Sequence, residues 1–152
     1  MRLTLHTDHA MRLLMLLTLE PDQRHTAETV ARRYRISQNH LSKIVQTLTH
    51  AGFVEAARGR SGGLRLGLPA SGITLGAVVR ATEDNFTLVE CFDTEHNGCV
   101  VTPACRLRKP LNEALQAFLA VLDRYTLKDI VGNRDARAQM LRLLEIPAEA
   151  MP

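Results

Sequence analysis

Tryptophan is absent from this 152-residue chain, and aromatic residues make up only 4% of it. With 45% apolar residues, the core must come from Leu, Val, Ile and Ala, a composition that suits helices. No apolar stretch approaches the length of a membrane span. The short run Leu13–Leu17 follows Asp8, His9 and Arg12, so no secretory leader is expected and the chain reads as cytoplasmic. There is no internal repeat and no low-complexity tract. No phosphate loop is recognisable, and no Asp or Asn partner accompanies a Cys–His pair, which argues against a cysteine-nucleophile enzyme. The length allows one ordinary domain, or a small domain with an appended helix.

Cysteine is scarce as well. The three present, Cys91, Cys99 and Cys105, fall within 15 consecutive residues as Cys91-x7-Cys99-x5-Cys105. An odd number cannot close on itself as disulfides, and cytoplasmic thiols stay reduced, so metal or redox chemistry is the better reading. Zinc sites present close Cys-x2–4-Cys pairs, and neither spacing here does so. Iron–sulfur clusters tolerate wider spacing because the inorganic core spans more volume, and thiolates are their usual ligands. The site is incomplete and needs a ligand from elsewhere. A zinc-stabilised DNA-binding module without sensing is the alternative, and buried inert thiols are the plainest one.

Charge is unevenly placed. Residues 1–72 carry ten Lys and Arg against five Asp and Glu, whereas residues 73–152 carry nine against eleven. A basic front half fits nucleic acid. Residues 8–20 predict a buried helix capped by Thr7 or Asp8, and Thr26–Tyr34 predicts a second, with Ala27, Val30, Ala31 and Tyr34 on one face. Ser37 then caps a third helix that buries Leu41, Ile44, Val45 and Leu48, with Ile36 and Leu41 as a hydrophobic staple and Gly52 closing it. Strands at Phe53–Ala57 and Leu64–Leu68 enclose the turn Arg58-Gly59-Arg60-Ser61-Gly62-Gly63. Two helices joined by a tight turn and followed by a hairpin describe a winged helix-turn-helix. A fourth helix follows Thr74, to about Thr82. The fold class is therefore mainly α with a small β-hairpin wing, plus a long dimerisation helix. Residues 1–82 are read as the DNA-binding domain, 83–104 as a loop holding the cysteines, 105–131 as the dimerisation region and 132–152 as a flexible tail. Pro110 marks a kink or the true start of the long helix.

A recognition helix presents polar residues from its N-terminal part. Ser37, Gln38, Asn39, Ser42 and Lys43 stand there, Gln38 and Asn39 suited to bases, Lys43 to a phosphate and His40 to either. Arg58, Arg60, Ser61, Gly62 and Gly63 form a basic, bendable wing tip suited to the minor groove or the phosphates. The plain alternatives are a solvated helix face and an ordinary hairpin turn.

Five segments carry a family resemblance: LxxxTD from Leu3 to Asp8, SQNHLSKIVQTLTHAGFV from Ser37 to Val54, RGRSGGLRLGLPAS from Arg58 to Ser71, TPACRL from Thr102 to Leu107 and LDRYTL from Leu122 to Leu127. In combination they resemble the NsrR type of iron–sulfur winged-helix repressors, which sense nitric oxide. The resemblance implies a homodimer packed through the long helix and a palindromic double-stranded DNA operator. It also implies one cluster per subunit on Cys91, Cys99 and Cys105, with DNA released when nitric oxide attacks the cluster. It favours [4Fe–4S], with [2Fe–2S] open. The related IscR subgroup places a His three residues after its last Cys, where this chain has Arg108. The NsrR pattern points to Asp8 of the partner subunit as the fourth ligand, while His96, His6 and His9 compete. By itself Asp8 also reads as a helix cap or an i,i+4 partner of Arg12. A sensor of iron or cluster supply on the same fold is the functional alternative.

Overall fold

The computed structural model describes residues 2–57, 62–93 and 95–145. Its elements run α1 (Leu5–Leu19), α2 (Ala27–Tyr34), α3 (Gln38–His50), β1 (Val54–Ala57), β2 (Gly63–Leu66), α4 (Leu75–Thr82), α5 (Arg108–Asp123), α6 (Leu127–Val131) and α7 (Arg134–Glu145), with 3-10 turns at Ala70–Gly72 and Glu90–Phe92.

Helix α1 is the axis of the molecule. Ala10, Leu13, Leu14, Leu16 and Leu17 are buried in one cluster with Val30, Leu41, Ile44, Leu48, Ile73, Val78 and Leu127. Burying each of the Leu, Val and Ile side chains contributes about 1.5–3 kcal/mol, which explains why this leucine-rich helix lies innermost. It begins one turn earlier than the sequence suggests. Thr4, not Thr7 or Asp8, is its cap and accepts the Thr7 N–H, while Thr7 itself is buried.

The tight turn between α2 and α3 closes as expected. Arg35 adopts the left-handed conformation at φ 54°, and the Ile36 N–H donates to the Ala31 carbonyl at 2.9 Å. Ile36 and Leu41 enter the core together, and Ser37 accepts the His40 N–H at 3.2 Å. Gly52 ends the turn after α3 at φ 77°. The wing is antiparallel, with Val54 opposite Leu66 and Ala57 opposite Gly63. Its second strand is pinned behind by the Leu64 N–H, which donates to the His25 carbonyl at 2.7 Å.

Beyond the wing, two boundaries differ from expectation. The long helix starts at Arg108 rather than Cys105, with Pro110 in its first turn, where no intrahelical donor is needed. After it, as the sequence's further short turn at Leu127–Val131 predicts, Thr126 caps the separate helix α6, and its N–H is taken by Asp129 at 2.8 Å. Residues 134–145, expected to be flexible, form α7. Leu144 of α7 packs on the main core, and Arg137 donates to the Leu19 carbonyl at the end of α1. The sequence from 146 onward lies outside the described residues. A second small core joins Val79, Leu115 and Leu119 to Phe86, Leu88 and Phe92, so the segment carrying the cysteines is seated against α4 and α5.

Candidate DNA-reading helix and cysteine loop

Ser37, Gln38, Asn39, Ser42 and Lys43 are exposed along one face of α3. The Ser42 hydroxyl donates to the Gln38 carbonyl at 2.9 Å, which leaves its oxygen lone pairs as acceptors. The first turn of α3 holds no acidic side chain, so nothing on it repels a phosphate. Of the wing tip, Arg58, Arg60 and Ser61 lie outside the described residues. Gly62 and Gly63 are half-buried. Gly63 has φ 149°, and a Cβ there would come within 2.9 Å of the Arg24 Cβ. Its backbone therefore packs inward on the α1–α2 corner.

His40, read from the sequence as a contact to bases or phosphates, leans toward α1. It is half-buried against α1, its ring edge-on to His9 (centroids 5.1 Å, 89°) and to His6 (5.8 Å, 75°). The cause is periodicity: position 40 precedes Ile44 by one turn and Leu48 by two, so it flanks the buried stripe. His9 Nδ1 and His40 Nε2 are buried without a hydrogen-bond partner among the described residues. Burial, followed by repulsion from His40, lowers the pKa of both His6 and His9.

The cysteine loop is closed by hydrogen bonds at each spacing. Glu90 Oε1 accepts the Gly98 N–H at 2.7 Å, joining the residues beside Cys91 and Cys99. The Cys99 N–H donates to Asn97 Oδ1 at 3.2 Å, and the Cys99 carbonyl accepts the Thr102 N–H at 3.2 Å. The Thr102 carbonyl in turn accepts the Cys105 N–H at 3.3 Å. All three thiols are free and half-buried. As a donor set they fit a thiolate-bound iron–sulfur cluster: three unengaged sulfurs on one hydrogen-bonded loop. Among the described residues, no three His, Cys, Asp or Glu side chains of a single chain are gathered closely enough to hold a metal ion.

Of the fourth-ligand candidates, Asp8 lies in the first turn of α1, its side chain 44% exposed and 2.7 Å from Arg12, as its i,i+4 spacing allows. His96 is 80% exposed, with Nδ1 3.0 Å from Asp93 Oδ2. The Glu95 N–H and the His96 groups hold the Asp93 carboxyl below its ordinary range. His6 Nε2 lies 3.2 Å from Thr47 Oγ1, and His9 faces α3.

Sequence reasoning missed Glu83. Its Oε1 accepts the Thr4 N–H at 2.8 Å and the Thr4 hydroxyl at 3.0 Å, and also a short hydrogen bond from the Thr7 hydroxyl. Burial opposes the charge, but these donors outweigh it and the Glu83 pKa is lowered. An acceptor 76 residues beyond Thr7 leaves no local spacing signal. The carboxylate satisfies the N-terminus of α1 and ties Asp8's turn to the start of the cysteine loop.

The sequence model of the Rrf2 family, described as an iron-dependent transcriptional regulator, matches residues 3–133. The chain is also 47% identical over 146 residues to the HTH-type transcriptional regulator NsrR of Bacillus subtilis, covering 95% of this chain and 100% of the relative. It belongs to the Rrf2 family, as an NsrR-type member. Protein aau3 of Rhizobium meliloti is 43% identical over 152 residues, covering 100% of this chain and 97% of the relative. Among solved structures, T. potens IscR superposes with a TM-score of 0.68 at 22% identity over 92% of both chains. Oxidised Staphylococcus aureus CymR gives 0.68 at 24% identity over 88% of this chain and 98% of that one. These two show a shared fold. In this NsrR-type regulator the winged helix-turn-helix is thus the DNA-binding element of a transcriptional regulator, and no helix among the described residues is long and apolar enough to cross a membrane.

Proposed function

We propose that this Rrf2-family member is a homodimeric repressor of a palindromic operator that releases DNA when nitric oxide reaches an iron–sulfur cluster. Cys91, Cys99 and Cys105 of one chain and Asp8 of the partner subunit would hold the cluster, [4Fe–4S] in preference to [2Fe–2S]. When bound, the cluster supplies iron with affinity for nitric oxide, and a hard carboxylate is the ligand it holds least firmly. The observation that carries the reading is the placement of Asp8 in the first turn of α1, directly before His9, which packs on His40 of the recognition helix.

The residues of the chain account for the rest. As a ligand, Asp8 would hold the first turn of α1 beside the cysteine loop of the second subunit. Without that bond it pairs with Arg12, as seen here at 2.7 Å. Because α1 packs directly on α3, either position of α1 sets the separation of two recognition helices, which must match half-sites about 34–36 Å apart. A bond made in only one state provides the differential affinity a switch requires. Exposed apolar side chains flank both ends of the proposed bond, Leu3 and Leu5 before Asp8 and Val100 and Val101 after Cys99. Val121 and Tyr125 are exposed on the α5 side, where a second copy would pack. Gln38, Asn39, Ser42 and Lys43, with the wing-tip residues Arg58, Arg60 and Ser61, would meet the DNA.

The test is nitric oxide titration of the anaerobically purified dimer with operator binding followed in parallel, for the wild type and Asp8→Ala. Release at low stoichiometry in the wild type, and a changed response in the variant, are expected. An unchanged variant sinks the role of Asp8. The family's iron-dependent description favours one second reading, a sensor of iron or cluster supply. Release by a chelator but not by nitric oxide would select it.

A further inference from the structure

A cavity separate from the cysteine loop lies under the base of the wing. It is an open cleft of about 830 Å³ between the end of α1, the residues following β2, and the α6–α7 corner. That volume falls in the range of small-molecule sites. Its floor is apolar, formed by Leu17, Leu66 and Val131, of which Leu17 is 2% and Val131 5% exposed. Its rim is cationic, carrying Arg65, Lys128, Arg134 and Arg137, and no Asp or Glu lines it.

Two of the four cations are already engaged. Arg65 grips Glu55 at 2.5 Å, and Arg137 is turned onto the Leu19 carbonyl. Lys128 and Arg134 have no carboxylate within ion-pair distance among the described residues. Both are exposed and sit on either side of Gly132, at the mouth. A pocket with an apolar floor and two exposed cations at its lip, neither held in a close ion pair, is complementary to a molecule with an apolar body and an anionic head. A DNA phosphate would satisfy the cations and leave the floor wet.

We infer that this cavity binds an amphipathic organic anion, its chain on Leu17, Leu66 and Val131 and its carboxylate or phosphate head on Lys128 and Arg134. Occupation would join the wing base to α1 and α7, an input separate from the thiols.

The test is calorimetric titration of the whole 152-residue chain with octanoate, inorganic phosphate and octanol, repeated on the double variant Lys128→Glu, Arg134→Glu. Saturable octanoate binding is expected, with head-only phosphate and body-only octanol much weaker. Loss of two charge-assisted contacts should weaken octanoate at least about tenfold, with an unchanged melting temperature, since both residues are exposed. No saturable octanoate binding, or binding undiminished in the variant, overturns the inference. So does phosphate or octanol binding as tightly as octanoate. A variant that keeps octanoate but loses operator affinity overturns it too, and would make the rim a DNA phosphate contact.

Discussion

Glu90 Oε1 accepts the backbone N–H of Gly98 at 2.7 Å, and this bond closes the widest gap between the cysteines. Seven residues separate Cys91 from Cys99, a spacing that in sequence reads as loose. The side chain just before the first thiol and the amide just before the second are nevertheless held together. A Cβ at position 98 would come within 3.0 Å of the same oxygen, so glycine leaves room for the carboxylate to seat.

Replacing Glu90 by Ala should therefore loosen the loop without unfolding the domain, since Glu90 is exposed. The expected result is faster alkylation of Cys91 and Cys99 in the metal-free protein and faster amide exchange at Gly98, with little change in melting temperature. Wild-type rates in the variant would show the bond to be incidental.

Glu83 should matter more for stability. Glu83→Ala removes the acceptor of three donors at the start of α1. A loss of about 1–2 kcal/mol is expected, the size of a lost helix cap, together with fraying of the turn that holds Asp8. Chemical denaturation measures the first, and amide exchange over residues 4–8 the second. Glu83→Gln, which keeps an acceptor, should recover part of both.

Gly67 backs directly onto the carbonyl of Gly52, so a Cβ there would overlap backbone that cannot rotate away. Gly67→Ala should cost about 1–3 kcal/mol and tilt the wing relative to the end of α3. Melting temperature and operator affinity should both fall. Gly72→Ala, where a Cβ would meet open space, is the matched control and should change neither.

The pH dependence should follow His25. Burial lowers its pKa from 6.5; Glu20 opposes the shift, and Arg33 adds to it. Its Nε2 lies 3.0 Å from Glu20 Oε2, but off the hydrogen-bond direction, and Arg33 already grips that oxygen at 2.5 Å. The folded protein thus keeps His25 neutral where the unfolded chain takes up a proton. Its stabilisation is complete above about pH 6.5 and is lost as the pH falls toward the lowered folded value. Thermal unfolding at pH 7.5 and 5.5 should show this loss, and His25→Gln should flatten it. An identical acid slope in the variant would assign the effect to other groups.

The helix-turn-helix was legible because its signals are local. The Ser37 cap, the Ile36–Leu41 staple, the left-handed Gly52 and the stripe Leu41, Ile44 and Leu48 each lie within a turn or two of one another, and backbone geometry follows from such neighbours. The lean of His40 onto α1 was not legible, because a polar residue at the flank of a stripe can face either way until the packing partner is known. Residues 134–145 read as a tail because Pro147 and Pro152 follow them, and the contacts with the end of α1 and the core around Leu144 show a helix instead.

By itself the sequence determined the winged helix, the three-thiol loop and the family, since periodicity, capping and motif order are written along one strand of chain. Only the tertiary structure decided what joins these parts: Glu83 fastening the first turn of α1, Glu90 closing the long cysteine spacing and His40 turned onto His9. The physical reason is that such bonds depend on distance in space between groups far apart in the chain. No periodicity records which side chain will find which partner once the helices have packed.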